Sequence, residues 1–154
     1  MSAGEVENTP CLLGSEGGEW KPNPTITALV SMLSQMNEAS VVSATEMLCL
    51  LSMNDDARRA IGMAEAIPSL IHVMRNYDNE VLSMNILNCL LNLAHQRDNR
   101  ATLRDPEFYN VLLATESAGD FLVAAVVGRL RRTIGGSFLP HNKTEEHQSL
   151  HQPW

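Results

Sequence analysis

Between residues 24 and 134, apolar residues recur every three or four positions with polar residues between them. That spacing lays one apolar stripe along a helix, whereas a half-buried strand would alternate at every second residue. The pattern is plainest in NILNCLLNLAHQRDNRATL, Asn85 to Leu103, where Ile86, Cys89, Leu90 and Leu93 share a stripe. This part of the chain predicts helices over about residues 67–76, 79–95 and 98–104. Asp105-Pro106-Glu107 then offers a capping carboxylate, a proline suited to a first helical position and a second acid, so another helix should begin there. Asp78 is expected to cap the long helix that carries Val81, Leu82, Ile86, Leu90 and Leu93. One residue disturbs the pattern. Asn92 stands between Leu91 and Leu93, and burying an unpaired amide costs about 1–3 kcal/mol.

The helical pattern also repeats. TITALVSML (Thr25–Leu33) aligns with AIPSLIHVM (Ala66–Met74) 41 residues later, and DDARRAI (Asp55–Ile61) with RDNRATL (Arg97–Leu103) 42 residues later. Ala44, Met47, Leu48 and Leu51 fall on Ile86, Cys89, Leu90 and Leu93 at the same spacing of 42. A third, slightly shorter copy runs from Tyr109-Asn-Val-Leu-Leu through FLVAAVVGRLRRTI. Self-similarity at this period marks stacked helical units, each with a short, a medium and a long helix.

Composition changes the picture only at the ends. Residues 1–23 are rich in Gly, Glu, Ser, Pro and Asn without a period, and read as a flexible acidic arm. Residues 135–154 read as a flexible polar tail, leaving 24–134 as the helical repeat domain. A net charge of −7 argues against nucleic acid as a partner, and no apolar run approaches the ~20 residues of a membrane span. The N-terminus has neither the basic start nor the apolar run of a secretory signal. Cys49 and Cys89 lie in apolar helical runs and read as small buried hydrophobes rather than disulfide partners. That fits a reducing cytoplasm, with the nucleus also open. His141, His147 and His151 are the nearest approach to a metal set, but they stand in a polar tail without a packed shell to orient them. No phosphate-binding glycine loop, nucleophile elbow or HExxH is present, so no enzyme, cofactor or metal is expected.

AIPSLIHVM, then Leu82–Ala94 read as LxxxIxxCLxNLA, then DNRATL, resemble the armadillo repeat family. The second unit matches the family pattern closely. The first keeps the apolar skeleton, with Leu50 in place of the Asn and Glu65 in place of a Gly, and the third is degenerate, with Arg132 near the Asn position. The resemblance implies an all-α fold, an α-α superhelix of two clear units plus a degenerate third. It further implies a groove lined by the longest helices, where Asn92 holds the main chain of a bound peptide. Asn88, Asn85 and His95 would flank it, with Glu46 and Leu50 on the first unit and Arg129 and Arg132 on the third. A purely structural role for Asn92, bonding the neighbouring unit, remains open beside the ligand role. Likewise the basic triplet Arg129, Arg131 and Arg132 reads either as one pole of the groove or as a solvated helix end.

The function expected from the resemblance is a non-catalytic scaffold that binds an extended or helical segment of another protein. An alternative is the armadillo portion of a chaperone cofactor of the kind that joins such arrays to tetratricopeptide repeats. A nuclear-import adaptor fits less well: such proteins carry a Trp four residues before the groove Asn, where this chain has Asn88 and Glu46. Val123, Ala124, Val126 and Val127 make the last helix rather apolar, so further repeats or a partner are expected at the C-terminal end.

Overall fold

The computed structural model describes residues 21–35 and 37–135. The arm and tail expected at the two ends, with Cys11 and the three tail histidines, lie outside these residues apart from 21–23 and Gly135. The described chain is all-α: α1 Pro24–Leu33, α2 Glu38–Leu51, α3 Asp55–Met63, α4 Ala66–Asn76, α5 Glu80–Leu93, α6 Arg97–Leu103, α7 Pro106–Ala118 and α8 Phe121–Ile134.

Short polar residues set most of the starts. Asn23, Asn37 and Asn54 each accept hydrogen bonds from two backbone N–H groups at the head of α1, α2 and α3, and Asp105 and Asp120 do the same for α7 and α8. These are donors that the first turn of a helix leaves unpaired. At α5 the cap is Asn79, accepting from the Leu82 N–H, and not the Asp78 expected from the sequence. The neighbour wins because it is the residue that holds extended backbone one step before the helix.

Three arginines close the opposite ends of the long helices. Arg58 donates from Nε to the Ser52 carbonyl (2.7 Å) and from Nη2 to the Met53 carbonyl (3.1 Å) after α2, and it also pairs with Asp55. Arg100, its counterpart in the repeat, reaches the Ala94 carbonyl after α5 (3.5 Å). Arg104 donates to the Ile134 (3.0 Å) and Gly135 (3.3 Å) carbonyls after α8. Cations at helix C-termini satisfy orphan carbonyls and oppose the helix dipole.

The helices pack in three rows. The long helices follow one another, α2 on α5 and α5 on α8; α1 packs on α4 and α4 on α7; α3 packs on α6. Within each unit the medium helix also packs on its long neighbour, as α1 on α2, α4 on α5 and α7 on α8. One continuous apolar core results, with Leu48, Ile86, Leu90, Leu93 and Leu130 each inaccessible to solvent. Val123 and Val127, part of the apolar run that suggested an uncovered end, are buried in that core.

Candidate functional site

α2, α5 and α8 are each 14 residues long and open at Glu38, Glu80 and Phe121, so their positions correspond one to one. Their ninth residues are Glu46, Asn88 and Arg129: an acid, an amide and a base at the same place on three successive helices. Glu46 and Arg129 are exposed and Asn88 is half-buried. The sixth residues are exposed Ser43 and half-buried Asn85 and Val126. The thirteenth are Leu50, Asn92 and Thr133, of which Leu50 is 67% exposed. His95 is exposed in the turn after α5.

Two expectations shift with this register. Thr133, not Arg132, takes the place of Asn92 on α8, because α8 begins 41 residues after α5 instead of 42. Arg131, the middle of the basic triplet, turns away to α7: it pairs with Glu116 at 3.2 Å, donates to the Tyr109 hydroxyl at 3.0 Å, and sits 5.4 Å from that ring's centroid.

Asn92 acquires a partner from the preceding unit. Its Nδ2 donates to the Ser52 Oγ at 3.0 Å, and Ser52 Oγ in turn donates to the Cys49 carbonyl at 2.6 Å. Ser52 has no solvent exposure, so this chain of bonds places polar groups between α2 and α5 without leaving the hydroxyl unpaired. The Cys89 thiol lies in the same contact. Burial pushes its pKa up to about 12, the Cys49 thiol adds to the rise, and a hydrogen bond with Ser52 offsets part of it. Burial also raises Cys49. A thiol held protonated is a packing group, not a nucleophile. Asn85 and Asn88, by contrast, make no side-chain hydrogen bond among the described residues, although both are half-buried.

Two features escaped the sequence reading. Asn99 in α6 is 4% exposed and donates from Nδ2 to the Arg58 (3.0 Å) and Leu93 (3.1 Å) carbonyls, tying α3 and α5 together. Its counterpart in the previous unit is Ala57, so the repeat itself was the available signal: a buried apolar position had become an amide. The second is a cleft of about 900 Å³ bordered by Asp78, Glu80, Glu107 and Asp120, with Arg75 paired to Glu107 at 3.1 Å. These acids surround the starts of α5, α7 and α8, which capping chemistry makes acidic; Thr115 Oγ1 on the wall already donates to the Val111 carbonyl.

Among the described residues, no group of three or more His, Cys, Asp or Glu is disposed to hold a metal ion, and no helix is long and apolar enough to cross a membrane. Compared with known proteins, the chain matches no protein-family model, and no curated protein matches it in sequence.

Proposed function

We propose that the chain is a non-catalytic interaction module, an armadillo-type superhelical array that binds an extended or helical segment of a partner protein along α2, α5 and α8. The rows of long, medium and short helices and the sequence repeat support that reading, as do free, protonated thiols compatible with a cytoplasmic setting.

The observation that carries it is the pair Asn85 and Asn88. Each is half-buried, and neither amide has a hydrogen-bond partner among the described residues. An amide both donates and accepts, as a peptide bond does, so two of them a turn apart can hold a partner's main chain with little regard to its side chains. Selection then falls to the ends of the row: Glu46 attracts a base and Arg129 an acid, which fixes the direction of the bound segment. Asn92 contributes its carbonyl oxygen while its N–H₂ remains on Ser52.

Display selection from a random peptide library tests this. Selected peptides should carry basic residues toward the Glu46 end and acidic residues toward the Arg129 end. Asn88→Ala should weaken their binding by about 1–3 kcal/mol in calorimetry with unchanged far-UV circular dichroism. Peptides that bind equally well to Asn85→Ala and Asn88→Ala would refute the reading.

A further inference from the structure

The one-to-one correspondence of α2, α5 and α8 shows what the row looks like where it is covered and where it is not. The tenth residues are Met47, Cys89 and Leu130. Cys89 and Leu130 are inaccessible, whereas Met47 is 48% exposed. At the thirteenth position Leu50 is 67% exposed, while Asn92 and Thr133 are half-buried. Asn92 bonds to Ser52 at the end of α2, so this side of each long helix faces the helix before it. Glu46, Met47 and Leu50 thus form a leading face on α2 that no described helix covers.

The opposite side of the row ends on α8. Thr45 and Leu87, the eighth residues of α2 and α5, are buried, and Leu91, the twelfth of α5, is 6% exposed. Their equivalents on α8 are half-buried Gly128 and exposed Arg132, with exposed Ala125 a turn earlier. This trailing face has small side chains at Ala125 and Gly128, with the Arg132 guanidinium folded 3.6 Å from where a Cβ on Gly128 would lie, so it presents a positive charge on a short-chained surface. Within the molecule, the thirteenth residue of α5 (Asn92) reaches the residue two places further along the preceding helix row, Ser52 just after α2, at 3.0 Å. Extending the row by that same step sets Arg132 over Met47, with Glu46 beside it and Leu50 below the arginine stem. Neither Glu46 nor Arg132 forms an ion pair among the described residues.

We propose that copies of this chain associate head to tail, the trailing face of α8 in one copy seating on the leading face of α2 in the next, with Arg132 brought against Glu46. The occupant is a second copy because one face supplies the apolar surface and the acid, and the other the short side chains and the base. Like faces would oppose two acids or two bases. A head-to-tail contact of this kind does not close on itself, so growth continues beyond the dimer as concentration rises.

Light scattering on the full chain across a concentration series tests the proposal, with circular dichroism as the control for folding. The wild type should rise from the mass of one chain through two and beyond. Leu50→Arg and Arg132→Glu should each weaken association by at least about tenfold in Kd. Mixing these two variants should give a one-to-one pair and nothing larger, since only one intact leading face and one intact trailing face remain. The double variant Glu46→Arg with Arg132→Glu should regain self-association. A single-chain mass at every concentration would overturn the proposal. So would an Arg132→Glu variant that associates like wild type, the signature of α2 pairing with α2, or a mixture that fails to pair.

Discussion

Among the described residues, Glu65 is the non-glycine residue with a left-handed backbone. It takes φ +58° and ψ +31° before α4, and its side chain makes no capping hydrogen bond. A side chain at left-handed φ costs about 1 kcal/mol or more, which glycine avoids. Glu65→Gly should therefore raise stability by about 0.5–1 kcal/mol, the relief of strain outweighing the added freedom of the unfolded chain; a lower denaturant midpoint would show that the strain is absent. Cys89 makes a second prediction at this scale. Its thiol holds its proton to about pH 12 in the native state, against an ordinary value of 9.0. Below that ordinary value both states are protonated and pH has no leverage. Above it the unfolded chain releases the proton while the native chain keeps it, so stability falls as pH climbs from 9.0 toward 12. Urea melts at pH about 8 and about 10.5 should show a larger loss for wild type than for Cys89→Ala.

At the scale of elements, the join between α3, α5 and α6 depends on a fit between two residues. A Cβ added at Gly62 would lie 1.8 Å from Asn99 Oδ1 and 2.8 Å from Asn99 Cγ, so the glycine exists to make room for the amide. Gly62→Ala should cost about 3 kcal/mol, since it displaces the Asn99 side chain and breaks its bonds to the Arg58 and Leu93 carbonyls. Asn99→Ala should cost about 2 kcal/mol by removing the two bonds alone. The double variant should lose clearly less than the two together, because the second change removes the clash created by the first. Additive denaturation free energies would disprove the coupling.

For the whole molecule, α5 is the centre: it packs on α2 before it, on α8 after it, and on α3 and α4. Its stripe is inaccessible at Ile86, Leu87, Cys89, Leu90 and Leu93. A helix covered on both sides of its row opens only when the units part, so native-state hydrogen exchange should be slowest in α5. Leu93→Ala should cost about 2–5 kcal/mol and bring the whole chain closer to unfolding. Faster exchange in α5 than in α1 or α8 would mean that the units melt independently of their neighbours.

The sequence by itself determined which segments are helical and nearly where they lie. α4 at residues 66–76 and α5 at 80–93 fall within a few residues of the stretches the apolar spacing marks, and Asp105 caps α7 as its position before Pro106 foretold. These outcomes follow from local physics: caps, prolines and a 3.6-residue period act within a few residues of one another. Only the tertiary structure decided what each polar group meets. Asn92 turned its amide to Ser52, 40 positions away, Arg131 went to Glu116 and Tyr109, and Asn99 bridged α3 and α5. Periodicity states which face of a helix is buried, but the group that stands opposite depends on how separate helices cross. For the same reason Met47 and Cys89, equivalent in sequence, differ in fate: a helix lies over Cys89, and no described helix lies over Met47.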